Sequence, residues 1–306
     1  MIIYGAGMGG LLTANMLRRY NPTIKEAQPS LPNNHDALLR FRSDKVAIAT
    51  GIPFKKVKVS KAIKYEGELI TKPDLFLSNK YSLKVTSAYY DRSISNLEPV
   101  HRYIAPLNFI SLMSNSLNIE YDKSLSYETC RLNRDPILST IPMPTMMKII
   151  GWPKQPDFKF KTIWSKRALI TKPKTSLYQT VYYPSEITDC YRVSITGNVV
   201  MAEYISRPTK DGSDIFNFLK DDFGVKSYEL KDITVSEMKY GKLLPIEEKV
   251  RKEFILYLTQ QYNIFSVGRF ATWRQLLLDD IVDDINMIDN MIGDNYLIQL
   301  HSKKGT

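Results

Sequence analysis

Three glycines near the start of the chain have the type and spacing for phosphate chemistry. Gly5-Ala6-Gly7-Met8-Gly9-Gly10 follows the apolar run Met1-Ile2-Ile3-Tyr4 and precedes Leu11-Leu12-Thr13-Ala14-Asn15-Met16-Leu17-Arg18-Arg19. The first run suits a buried parallel strand. The last spaces Leu12, Met16 and Leu17 as a helix does and ends on two arginines, where the helix dipole favours cations. Gly5, Gly7 and Gly10 therefore read as GxGxxG between a strand and a helix. Gly5 permits the tight turn, Gly7 lets a pyrophosphate approach the backbone, and Gly10 lets the helix sit close to the strand. The free N–H groups of the helix N-terminus would face the diphosphate. About twenty residues on, Thr23-Ile24-Lys25-Glu26 reads as a second strand ending in an acid placed to accept hydrogen bonds from an adenosine ribose. The spacing predicts a dinucleotide-binding unit.

A second junction of this kind lies far down the chain, in Asn263-Ile264-Phe265-Ser266-Val267-Gly268-Arg269-Phe270-Ala271-Thr272-Trp273-Arg274. Ile264 to Val267 reads as a strand, Gly268 breaks it, and Thr272 reads as an N-cap. Apolar residues then recur at Trp273, Leu276, Leu277, Ile281, Val282, Ile285 and Ile288, a helical stripe. An ordinary helix packed on a sheet explains the stripe, but not the strand–Gly268-Arg269–helix junction before it.

The elements that must position these residues are bounded by composition. The chain has 306 residues, 43% of them hydrophobic and 24% charged, enough for one large domain or two modest ones. Disorder and collagen are excluded, and three His with two Cys leave little for a zinc scaffold. Cys130 and Cys190 stand outside any CxxC pair; they could form one disulfide, but read better as two reduced thiols. No secretory segment is evident, and the apolar runs fall far short of the ~20 residues that span a bilayer. The expectation is a soluble, cytoplasmic protein with no membrane partner.

The middle of the chain reads as short strands: Lys55-Lys56-Val57-Lys58-Val59, then Tyr178 to Tyr183, then Tyr191 to Val200, with a turn at Pro184-Ser185. Asp211-Gly212-Ser213-Asp214 starts a helix through Phe216, Phe218 and Leu219. The formal charge is +10, and residues 271–306, with three basic and six acidic side chains, leave a surplus of +13 in residues 1–270. Lys55, Lys56, Lys58, Lys61 and Lys64 form one basic block. Lys148, Lys154, Lys159, Lys161, Lys166, Arg167, Lys172 and Lys174 form another, interleaved with Trp152, Phe158, Phe160 and Trp164. Cations among aromatics suit a single-stranded or flipped-base nucleic-acid surface. The simpler alternative is a solvated lysine face whose aromatics belong to the core. The acids from Asp279 to Asp284 read as the polar face of the last helix rather than a metal site, and His35 and His101 as hydrogen-bonded structural residues.

The paired junctions resemble the glutathione-reductase-like flavoproteins of the amine oxidase and UDP-galactopyranose mutase group. In that group the N-terminal GxGxxG and following acid hold the ADP half of FAD, and a late strand–Gly–helix junction holds the flavin end. Gly268-Arg269-x4-Arg274-x4-Asp279 is similar to the mutase pattern of paired arginines and a downstream acid. Tyr103-Ile104-Ala105-Pro106, a helical stretch to Ser116 and Leu117-Asn118-Ile119-Glu120-Tyr121 resemble the elements before the group's adenine-contacting turn. Asp135 to Pro142 resembles the strand where such chains rejoin the FAD domain. Two departures are plain. The group's Gly-Gly pair after the ribose acid is replaced by a stretch from His35 to Ser43, and the mutase's histidine-rich segment is missing.

The resemblance implies an α/β fold, a Rossmann-like FAD-binding domain with an inserted β-rich substrate domain. Residues 1–54, 101–147 and 235–306 would form the former, and 55–100 with 148–234 the latter. FAD would be held by Gly5, Ala6, Gly7, Met8, Gly9, Gly10, Glu26, Arg42, Gly268, Arg269, Thr272 and Trp273, with no metal. Arg269 and Arg274 could grip flavin phosphate, ribityl or an anionic substrate, or serve as structural ion pairs. Tyr182, Tyr183 and Tyr191 could shape an amine or sugar pocket, or simply pack; Arg274, Tyr182 and Tyr183 are the candidates for catalysis. The implied activity is oxidation of a C–N or related bond by hydride transfer to flavin. A sharper form places the amine on a modified base in DNA, since some flavoproteins of viral base-hypermodification pathways are similarly small; the host cytoplasm would then be its location. The alternatives are a mutase-like isomerase of a sugar nucleotide and an FAD-containing nucleic-acid-binding protein without turnover.

Overall fold

The computed structural model describes residues 1–31, 39–89, 93–172, 176–225 and 229–304, with side chains described as far as residue 293. His35 and Lys174 lie outside the described residues. In chain order the strands are β1 (Ile2–Tyr4), β2 (Thr23–Lys25), β3 (Arg40–Phe41), β4 (Lys55–Tyr65), β5 (Glu68–Ile70), β6 (Val100–Ile104) and β7 (Asn118–Glu120). There follow β8 (Ile137–Ser139), β9 (Phe160–Lys172), β10 (Leu177–Tyr182), β11 (Cys190–Gly197), β12 (Val199–Tyr204), β13 (Glu229–Leu243) and β14 (Ile264–Ser266). The helices are α1 (Met8–Met16), α2 (Lys45–Thr50), α3 (Leu75–Thr86), α4 (Phe109–Ser114), α5 (Tyr127–Leu132) and α6 (Met143–Ile149). The last four are α7 (Ser213–Phe223), α8 (Glu248–Tyr262), α9 (Gly268–Ala271) and α10 (Leu278–Lys304).

Two sheets carry the chain. The first has five parallel strands in the order β14-β8-β1-β2-β7, the doubly wound arrangement in which the order reverses beside the first strand. Its strands are three residues long, so each side chain faces one helical layer or the other. Ile3, Ile24, Leu138 and Phe265 meet α1, α2, α4 and α10, whereas Tyr4, Ile137 and Ile264 meet α5, α6 and α8. Full burial of one such side chain stabilises by roughly 1.5–3 kcal/mol.

α1 is pressed onto β1 more tightly than any side chain allows. A Cβ on Gly10 would lie 1.9 Å from the Gly5 carbonyl oxygen, and one on Gly5, at φ +100°, would lie 2.2 Å from Thr140 Oγ1. Thr140 braces the turn by donating its hydroxyl to the Tyr4 carbonyl at 3.0 Å.

The second sheet is mostly antiparallel, ordered β13-β9-β12-β11-β10-β4-β6-β3, with β5 on β4. It curls: Arg40 on β3, at one end, donates to Thr196 Oγ1 and Thr180 Oγ1, both at 2.7 Å, on β11 and β10. α7 covers one face through Ile215 and Leu219, and α3 covers part of the other through Leu77, Tyr81 and Val85.

Several sequence expectations need correction. The expected boundaries at 101 and 235 assign β6 and most of β13 to the nucleotide-binding unit, but both pair within the second sheet, as does β3. Main-chain pairing decides membership, and composition does not encode it. The single strand expected over Tyr191 to Val200 is a hairpin, β11–β12, turned at Gly197 (φ +64°) and Asn198. The final helix begins at Leu278, so Thr272 and Trp273 precede it. Lys166, counted in a basic surface block, is fully buried against Asp214 at 2.7 Å, and Trp152, Phe158 and Phe160 pack into a core. Cys130 and Cys190 are buried in different cores. Among the described residues, no helix is long and apolar enough to cross a membrane.

The acids of α10 are met by cations from the first 45 residues. Asp280 pairs with Arg42 at 2.5 Å, Asp283 with Lys45 at 2.7 Å and Asp289 with Arg19 at 2.6 Å. Asp279, 4% exposed, accepts from the Ser43 hydroxyl at 2.6 Å and from the Ser43 and Arg42 amides. The repulsion along the helix face is thereby answered from across the domain.

The Gly10 contact gives the first prediction. Gly10→Ala must push α1 away from β1, at a cost of about 1–3 kcal/mol, seen as a lower Tm. Gly9→Ala, whose Cβ would meet only Thr140 Cγ2 at 3.8 Å, should not lower it. An unchanged Tm for Gly10→Ala would show that the close approach is not required.

Candidate dinucleotide site

Parallel strands leave their following loops on one edge of the sheet, and ligands of such sheets bind there. In this protein all five strands do so around one cavity of about 730 Å³. β1 supplies Gly5 to Gly9, β2 Glu26 and Ala27, β7 Lys123 to Leu125, β8 Thr140 to Pro142, and β14 Val267 to Phe270. From the second sheet come Leu39, Arg40 and Phe41, and from the start of α10 Leu278, Asp279 and Ile281. The volume lies within the range of enclosed small-molecule sites.

At the Gly5 end the turn is held from two sides. The Gly5 amide donates to the Lys25 carbonyl at 2.8 Å, and the Ala6 amide donates to Glu26 Oε2 at 2.6 Å. Glu26 thus sits beside the glycine turn and remains partly exposed to the cavity. Gly7 precedes the first residue of α1, no side chain caps that helix, and a Cβ on Gly7 would meet nothing within 4 Å. Open space before uncapped helix N–H groups is the cradle that a diphosphate requires.

At the β14 end, Gly268 has φ +87°, a conformation costly for other residues. Arg269 donates from Nη2 to the Gly241 carbonyl at 2.9 Å, while its Nε is buried with no partner. Burial lowers the pKa of this guanidinium, although Tyr191 partly offsets that.

Not all the expected residues converge here. Gly5, Ala6, Gly7, Met8, Gly9, Glu26, Gly268 and Arg269 line the cavity; Gly10 lies behind it, against Gly5. Arg42 does not line it: its side chain pairs with Asp280. Thr272 is buried and donates its hydroxyl to the Gly268 carbonyl at 2.8 Å, so it closes α9 instead of capping α10. Trp273 turns away, donating Nε1 to the Leu244 carbonyl and stacking edgewise on Phe158 at 4.7 Å. Arg274 forms an ion pair with Asp284 outside the cavity lining. Tyr182 and Tyr183 are each 4% exposed; Tyr182 packs on Tyr81, and Tyr183 donates to Asp222 at 2.7 Å. Neither reaches the cavity.

Sequence reasoning passed over two residues. Thr140 follows β8 and braces the glycine turn, a role signalled only by its place after a strand. Arg40 lines the cavity and has no carboxylate partner among the described residues. Its pKa is lowered to about 10, first by burial and then by the like charge of Arg192.

These features fit FAD. Gly5 to Gly9 and Glu26 would hold the ADP half, Gly268 and Arg269 would lie toward the other end, and the group would supply hydride acceptance.

The fold is shared with solved enzyme structures. A reduced UDP-galactopyranose mutase matches with a TM-score of 0.68 at 12% identity, over 95% of this chain and 93% of that one. An oxidoreductase from Methanosarcina mazei matches with a TM-score of 0.54 at 11% identity, over 94% and 99%. A p-nitrophenol 4-monooxygenase from Pseudomonas putida matches with a TM-score of 0.51 at 12% identity, over 95% and 78%. No protein-family model and no curated protein matches the sequence. At such identities the likeness is one of fold.

Gly7→Ala separates fold from binding. Its Cβ enters open space, so the Tm without ligand should stay at the wild-type value, while FAD affinity should fall at least about tenfold, or ~1.4 kcal/mol. Wild-type affinity in this variant, measured by fluorescence titration, would remove the diphosphate from the Gly7 cradle.

Proposed function

We propose that the protein is an FAD-dependent oxidoreductase acting on a C–N or related bond. The observation that carries the cofactor is the convergence of all five parallel strands on one cavity with an open cradle at Gly7. The resemblance to the amine oxidase group supports the C–N bond, as does a mostly apolar far end, where Ile141, Ile149, Phe270, Leu276 and Leu277 would exclude water from the reacting carbon. Flavin chemistry asks little acid–base help of the protein, which agrees with Tyr182, Tyr183 and Arg274 lying elsewhere.

An amino-modified base in DNA is the sharper form of this reading. Its support is Lys55, Lys56 and Lys58, exposed along β4, with Tyr178 and Tyr103 beneath the first two at 5.4 and 5.8 Å. The second basic block lends little, because its aromatics face inward. The alternative of a mutase-like isomerase is favoured by the mutase neighbour, with its TM-score of 0.68, and disfavoured by the placement of Arg274 in an ion pair.

Anaerobic mixing with a panel of amines and amine-modified DNA tests the proposal. The FAD-loaded protein should be yellow and should bleach with at least one member of the panel. Turnover of a sugar nucleotide only after prior reduction would transfer the assignment to the isomerase, and a protein that cannot be loaded with FAD would end both. Salt-sensitive DNA binding with no spectral response to any substrate would leave binding without turnover.

A further inference from the structure

We propose that the curled face of the second sheet carries an oxyanion subsite for the substrate, built by Arg40, Arg102 and Arg192 beside the flavin cavity. The inference rests on the flavoenzyme reading and gives its substrate a charged handle.

Register places these side chains together. Arg102 on β6 pairs with Val57 on β4, two and four residues before Val59 and Lys61 on the same face. Arg40 on β3 pairs with Ile104, two residues from Arg102 on that face. Arg192 on β11 pairs with Tyr182 on β10, and Thr180, bonded to Arg40, is two residues from Tyr182, about 7 Å along the strand. The curl thus brings three guanidinium groups over one face. The interactions agree: burial and then Arg192 and Arg102 lower the pKa of Arg40, opposed by Tyr182 and Glu203, and burial and then Arg102 lower that of Lys61, opposed by Glu98.

Counter-charge is short. Arg192 binds Glu203 through Nε and Nη2, and its Nη1 has no hydrogen-bond partner among the described residues. Glu203 also accepts from Tyr191 at 2.8 Å, so its capacity is largely used. Arg40 spends its donors on neutral oxygens of Thr180, Thr196, Gln179 and Ile195, and Arg102 donates to the His101 carbonyl. Neither has an ion-pair partner among the described residues. Buried cations are ordinarily paired, and crowding them in an enclosed site is costly. Yet Arg192 keeps 32% of its side-chain surface accessible, so solvent, and hence a ligand, can reach it.

A guanidinium binds a planar carboxylate or a phosphate through two parallel hydrogen bonds. An anionic group of either kind at this face would relieve the repulsion. Because Arg40 also lines the flavin cavity, the rest of the substrate would extend into it.

The test titrates FAD-loaded protein at low salt with inorganic pyrophosphate and, separately, with succinate, by calorimetry and flavin absorbance. At least one should bind with a Kd of about 1 mM or tighter, and Arg102→Gln should weaken it about tenfold. Arg192→Gln should do the same; because it strands Glu203, the double variant Arg192→Gln/Glu203→Gln is the folded control and should show the same loss. Absence of binding of both anions to the wild-type protein would overturn the subsite. So would binding to FAD-free protein that FAD displaces, since the anion would then occupy the Gly7 cradle, and so would wild-type affinity in both Arg102→Gln and the double variant. Arginine-dependent anion binding by a protein that never takes up FAD would uphold the subsite while ending the flavoenzyme reading.

Discussion

The structure depends on one contact too close for a side chain: Gly10 of α1 against the carbonyl of Gly5. It fixes how near the first helix lies to the central strand, and so where the uncapped N-terminus of that helix points. Thr140 sits on the other side of the same turn, tying β8 to β1 where the strand order reverses. The turn is therefore gripped between helix and sheet, and a cavity with Gly7 on its wall follows. None of this involves a strong individual interaction. It is packing geometry.

Charge organises the next level. The surplus of +13 in residues 1–270 and the acidic last helix are two sides of one arrangement, because Arg19, Arg42 and Lys45 are placed against Asp289, Asp280 and Asp283. Exposed pairs contribute little singly, so they serve to orient α10 more than to stabilise it. The buried Asp279 matters more, since it ties the start of α10 to the Arg42–Ser43 backbone behind the cavity. Another part of the surplus is internal: Lys166 with Asp214, and Lys84, which donates to three carbonyls and whose pKa burial lowers to about 8.

What could be read from the sequence was whatever is encoded locally. GxGxxG, the acid after β2, the β8 segment and the strand–Gly268 junction are short stretches whose own residues demand a turn or an end, and each falls at the carboxyl edge of the parallel sheet. What could not be read depends on distant pairing. Nothing around Arg40 states that β3 joins β6 and arches over β11, and nothing in the β13 sequence states that it pairs with β9. Trp273 and Thr272 misled for a physical reason: their spacing suits the helical stripe, but Trp273 adopts φ +47° and breaks it. Arg42 misled because β3 ends at Phe41: beyond the strand the chain turns toward α10, where Arg42 pairs with Asp280, and Arg40, within the strand, reaches the cavity instead.

The order of the five parallel strands along the chain has a consequence for biosynthesis. β1, β2, β7 and β8 are made by residue 139, but β14, which covers the outer edge of β8, is made only after the whole second sheet. Until then a nascent chain would display Ile137–Ser139 as an open, apolar strand edge, the kind that invites pairing with other chains. Non-local closure of this sort slows folding. The glycine turn is therefore made well before the strand that completes its sheet, and in that interval β8 is the uncovered edge.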